Sequence, residues 1–139
     1  MSLTVTSVGD NVQQPSISAV QYIPDQLIAG NLKLVTSNVT VLSGSGVLKR
    51  GTVLGAVTAS GKYIPCVKTA SDGSQVPTAI LADDVDATSA DAIGGAYLMG
   101  EFNVNAMTID ASWTAAAMTA ALRPYSIFVK SAVIAADPT

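Results

Sequence analysis

Four carboxylates, Asp83, Asp84, Asp86 and Asp91, form the one acidic cluster in the chain. Oxygen ligands at that density suit a hard cation such as calcium. The spacing argues otherwise. With Asp84, Asp86 and Thr88 at the first, third and fifth places of a calcium loop, Ser89 stands where Gly is required, and Gly95 where the bidentate Glu belongs. The residues favour an acidic loop at a strand end, with no metal site. His is absent, which removes Ser-His-Asp and Cys-His catalysis and every imidazole metal site. An enzyme working with carboxylates alone, through Asp83 and Asp86, is the weakest reading. No catalytic residue and no cofactor is expected.

Other candidates for chemistry thin out on the same terms. Gly46–Thr52 has the outline of a phosphate loop, but Gly51 runs straight into Thr52 where a Lys should precede it. Lys49-Arg50 is the one adjacent basic pair, read as a solvated turn or as a contact with an acidic partner. Asn103 and Asn105 would share one face of a strand, where they could meet sugar hydroxyls or bridge a turn. Trp113 is read as core on a helix face, with an interface anchor as the alternative. Cys66 has no second Cys to pair with and reads as a small buried hydrophobe. Asn38-Val39-Thr40 matches a glycosylation sequon, taken as chance because Met1-Ser2-Leu3-Thr4 lacks the start of a secretory signal.

Composition explains the scarcity. Charged residues make up 12% of the 139 residues, against 49% apolar, where an average soluble domain carries about 25% charge. A surface so poor in charge leaves apolar patches that another protein must cover. An assembly component is favoured over an enzyme. The net charge of −3 gives no electrostatic reason to bind nucleic acid. No apolar run approaches the ~18 residues of a membrane span.

The elements that must position these residues are short strands. Residues 1–26 read as an extended arm, with Thr4, Val5, Val8, Val12, Ile17, Val20 and Tyr22 as its contact residues and Pro15 and Pro24 as breaks. Residues 27–139 read as one β-rich domain. Leu32–Val35, Val39–Leu42, Thr52–Thr58, Tyr63–Lys68, Val76–Ala82, Gly95–Met99, Glu101–Val104 and Ile127–Val133 are expected strands, as in a small barrel or sandwich. Ala59-Ser60-Gly61-Lys62 is expected to turn a hairpin, with Gly61 available for positive φ. One helix is expected over 112–122, capped by Asp110 or Ser112. Its buried face would be Trp113, Ala116, Ala117 and Ala120, and Pro124 would end it.

In order, Leu48–Gly55, Ser60-Gly61-Lys62-Tyr63, Asp72-Gly73-Ser74, Ala79–Asp86, Gly100-Glu101-Phe102-Asn103 and Leu122-Arg123 resemble the head decoration proteins of tailed bacteriophages, the lambda-type capsid-stabilising family. The resemblance covers about residues 40–130; the long region before Leu27 departs from the shortest members. It implies a mainly β fold assembled as a homotrimer on the outer face of an expanded head, at local threefold positions. The trimer would clamp the major capsid protein against the pressure of packaged DNA, with no catalytic residue, nucleic acid or membrane involved. The arm that meets the capsid maps to about Ser2–Tyr22, and Lys49, Arg50 and Trp113 are candidate trimer or capsid contacts. The rival reading is a carbohydrate-binding β-module using Trp113, Tyr97 and Asn103.

Overall fold

The computed structural model describes residues 26–132. Its strands are β1 (Val35–Val41), β2 (Gly46–Leu48), β3 (Val53–Ala56), β4 (Tyr63–Pro65), β5 (Pro77–Leu81), β6 (Val85–Ala87), β7 (Ala92–Asn103) and β8 (Ile127–Lys130); α1 covers Ala115–Leu122. Five strands close into a barrel in the order β1, β4, β3, β5, β7, with β7 returning to pair with β1. Closure leaves less free edge than a small open sheet would. Strand β8 lies parallel to the last four residues of β7, and β2 and β6 form a separate antiparallel ribbon. The expected mainly β barrel with one short helix is what the chain forms.

The long strand β7 organises the rest. It pairs with β1 from Val41↔Ala92 to Thr36↔Tyr97, and an irregularity at Val35/Thr36 shifts the start of β1 to Val35↔Met99. This partner draws Thr36-Ser37-Asn38 into one continuous β1, where the sequence suggested a break, and leaves Leu32 outside it. Gly95–Met99 and Glu101–Val104 likewise merge into β7. The β3–β4 hairpin turns as expected: Val57 N–H donates to the Lys62 carbonyl at 2.8 Å, Gly61 N–H donates to Val57, and Gly61 sits at φ 67°. That angle is open to Gly and strained for most other residues.

The helix departs from expectation at both ends and on its inner face. It starts at Ala115 with Thr114 as its cap, the hydroxyl accepting from Ala117 N–H. Asp110 instead accepts from Ser112 N–H and Oγ, closing a local turn. Only Met118 and Leu122 are buried on α1, while Ala116 and Ala120 face solvent. Two long side chains one turn apart bury more apolar area than an Ala stripe. Arg123 keeps helical angles before Pro124, and the chain tightens into a 3-10 turn over Arg123–Tyr125.

The interior has two clusters. One, under α1, holds the bulkiest groups: Leu27, Ile80, Tyr97, Phe102, Met118, Leu122 and Ile127. The other, lying between β1, β3, β5 and the β2–β6 ribbon, is built of Val, Leu and Ala, including Val41, Leu54, Ala79, Leu81 and Ala96. Cys66 belongs to the first cluster and is 2% exposed, the buried hydrophobe expected of it.

Candidate functional site

The arm contacts Thr4, Val5, Val8, Val12, Ile17, Val20 and Tyr22 lie outside the described residues. What the structure describes is the base from which residues 1–25 depart. Leu27 is 1% exposed and packs into the bulky cluster. Its carbonyl accepts from Asn103 N–H at 2.8 Å, Ala29 N–H donates to the Glu101 carbonyl at 2.9 Å, and Ile28 bridges Phe102 in antiparallel register. The base is therefore an extra length of strand laid against the end of β7.

Side chains reinforce it. Glu101 accepts from Leu32 N–H at 3.2 Å and pairs with Lys130 of β8 at 2.6 Å. The Lys130 ammonium, followed by the Leu32 N–H, holds the Glu101 carboxyl below its ordinary range. Gly30 makes room for it: a Cβ there would collide with Glu101 Oε2. Asn103 is wholly buried, and its Oδ1 accepts from Ala132 N–H at 3.1 Å and Asn105 N–H at 3.2 Å. Asn105 Nδ2 donates in turn to the Ala132 carbonyl at 2.8 Å. Residues 27 and 132, near the two ends of the described chain, are thus fastened through one residue.

This geometry corrects the asparagine expectation. Asn103 ends β7 and Asn105 lies in the 3-10 turn Val104–Ala106, so the pair bridges a turn and shares no strand face. Tyr97 is only 8% exposed and Asn103 fully enclosed, so neither can meet a sugar. Trp113, half-buried under Lys68, packs against the bulky core cluster that holds Tyr97.

The basic pair divides. Lys49 lies exposed, 2.8 Å from Asp84. Arg50 turns inward, half-buried, donating to the Ala82 carbonyl and to Tyr97 Oη at 3.0 Å while lying over the Tyr97 ring. The acidic residues disperse as well. Asp84 holds Lys49 and Arg50 N–H, Asp86 holds Thr88, and Asp91 holds Lys62 and Ser43 N–H. Each of these three carboxyls is held below its ordinary range by its first-named partner. No group of three or more His, Cys, Asp or Glu among the described residues is arranged to hold a metal ion.

A half-open pocket of about 220 Å³ lies between Val47, Thr52, Val53, Cys66, Ile109 and Asp110. Burial pushes the Cys66 thiol up to about 11, only partly offset by the Trp113 indole beside it. A thiol so protonated is a poor nucleophile. What the arrangement does is fasten Leu27–Leu32 to the end of β7 and to β8. Glu101 and Asn103 carry that task, and sequence reasoning did not single them out for it. An Asn opening a turn was the one local signal for Asn103; the Glu101–Lys130 pairing has no linear signature.

No curated protein matches the chain. A family model described as bacteriophage lambda head decoration protein D matches residues 19–127, most of the length. The match spans the barrel, α1, and the base on which the preceding residues are mounted, and by it the chain belongs to the bacteriophage lambda head decoration protein D family.

Proposed function

We propose that the chain is a non-enzymatic, homotrimeric cement protein. It binds the major capsid protein on the outer surface of the expanded head at local threefold positions and stabilises the shell against packaged DNA. Residues 1–26 are its capsid-binding arm and residues 27–139 its decoration domain. The observation that carries the reading is the rigid base at Leu27–Leu32 beneath an arm whose only charges are Asp10 and Asp25. Such a segment can add a strand to a capsid sheet edge through main-chain hydrogen bonds.

Ordering the arm costs roughly 1–2 kcal/mol of backbone entropy per residue, so one arm binds weakly. Three arms on one trimer raise avidity by about 10²–10⁴. Contacts by Thr4, Val5, Val8, Val12, Ile17, Val20 and Tyr22 supply the arm's side-chain pockets. Lys49 presents its charge at the rim, while Arg50 and Trp113 serve by holding the loops on which such contacts sit.

The test combines light scattering with co-sedimentation on expanded shells. The full chain should be a trimer and sediment with the shells; removal of about the first 20 residues should abolish sedimentation while circular dichroism stays unchanged. A truncated trimer that binds with full affinity overturns the arm mechanism.

A further inference from the structure

Strand β1 has two edges, and β7 covers one of them. On the other side β4 meets β1 at a single position, Val41↔Tyr63, where Leu42 N–H donates to the Tyr63 carbonyl. Backbone groups alternate between the two edges along a strand. That bond therefore sets the N–H and C=O groups of Thr40, Asn38 and Thr36 on the outer side; the bridge gives the Thr40 carbonyl to Tyr63 N–H, and the Thr40 N–H and both groups of Asn38 and Thr36 meet no backbone partner among the described residues. Val35 through Asn38 are all exposed. Proteins normally blunt such an edge with Lys, Pro or a bulge. Here no residue from Val35 to Val41 is charged or Pro, and the irregularity at Val35/Thr36 leaves the rest regular.

We infer that the outer edge of β1, from Thr36 to Thr40, is a strand-docking site for the N-terminal arm of a second copy of this chain. The inference rests on the homotrimer proposed above. Twenty-five residues precede Gln26, enough to span about 80 Å when extended. The edge takes roughly 17 Å of that length, leaving the remainder to reach a shell. Ile28 and Val35–Val41 both meet β7 antiparallel, from Ile28↔Phe102 to Val41↔Ala92, with bends at Gly30 and Leu32 between them. At Leu27, the described chain, followed backward, lies beside Asn103 and is heading away from its own Thr36–Thr40 edge. The β-branched, charge-poor arm matches an edge that itself carries no charge.

Amide exchange on the full-length trimer, followed by NMR, needs no variant. The Thr36, Asn38 and Thr40 amides should be protected roughly 100-fold or more over exposed loop amides. A trimer in which these amides exchange like a loop overturns the inference and leaves the trimer standing; a monomer by light scattering overturns the trimer itself. To identify the donor, full-length chains carrying Ser16→Cys, Ser18→Cys or Ala19→Cys are mixed with full-length Thr36→Cys chains under mild oxidation. At least one pair should give a crosslinked dimer joining the two kinds of chain, lost when Asn38→Pro is added to the Thr36→Cys chain. Crosslinks only within a chain carrying both substitutions, or none between chains, overturn the assignment to a second copy.

Discussion

Two stretches of one chain segment lie a few residues apart against the same strand and are treated oppositely. From Leu27 to Leu32, backbone and side chains are tied down by Asn103, the Glu101 carbonyl and the Glu101 carboxylate. From Thr36 to Asn38, one edge is paired with β7 and the other has no backbone partner among the described residues. Main-chain bonds to Asn103 and Glu101, the charge-assisted bond from Leu32 N–H and the burial of Leu27 are costly to give up together, so the first stretch holds one geometry. An unpaired, uncharged edge gains hydrogen bonds from whatever strand arrives. The difference teaches where the protein is fixed and where it is receptive.

The contrast breaks most visibly at its backing. Phe102→Ala removes a wholly buried ring beneath Ile28 and beside Tyr97 and should cost about 3–5 kcal/mol in denaturant unfolding. A loss under about 1 kcal/mol would mean the base is not built into the cooperative core. Asn103→Ala comes next, at about 1–3 kcal/mol, because Ala132 and Asn105 N–H lose their shared acceptor.

Within β1 the two edges can be separated by one residue. Ser37→Pro strikes the side paired with Ala96 and should cost about 1–3 kcal/mol. Asn38→Pro strikes the outer side and, in the chain lacking about the first 20 residues, should cost under about 1 kcal/mol. Equal losses by thermal unfolding would sink the assignment of edges. The smallest effect is electrostatic. Glu101 has its carboxyl held low by Lys130 and Leu32 N–H, so its contribution is present above the ordinary value of 4.5 and is lost as pH falls through the lower folded value. Glu101→Gln should flatten the fall in melting temperature on acidification, and an unchanged slope would remove Glu101 from the account.

Local chemistry was readable where local rules decide. The Val57–Lys62 turn needed a Gly, and the sequence offered Gly61. Cys66 was legible as a buried hydrophobe from its type alone. Strand merging was not legible, because Thr36-Ser37-Asn38 is polar and becomes strand only against the twelve residues of β7. The helix face was misjudged because an Ala stripe at helical spacing matches the pattern, while Met118 and Leu122 offer the larger burial. The base of the arm joins Leu27, Glu101, Lys130 and Ala132 across the whole domain, and such long-range pairing leaves no periodic trace.

The antiparallel lie of Leu27–Leu32 on β7 also has a mechanical meaning. A pull along the strand axis would strain the bonds from Leu27 to Asn103, Ala29 to Glu101 and Leu32 to the Glu101 carboxylate together, in shear. Pulled sideways, the same three bonds would break in succession, like a zipper opening. Under the proposed function, a swelling shell that pulled along that axis would load these bonds in their stronger direction.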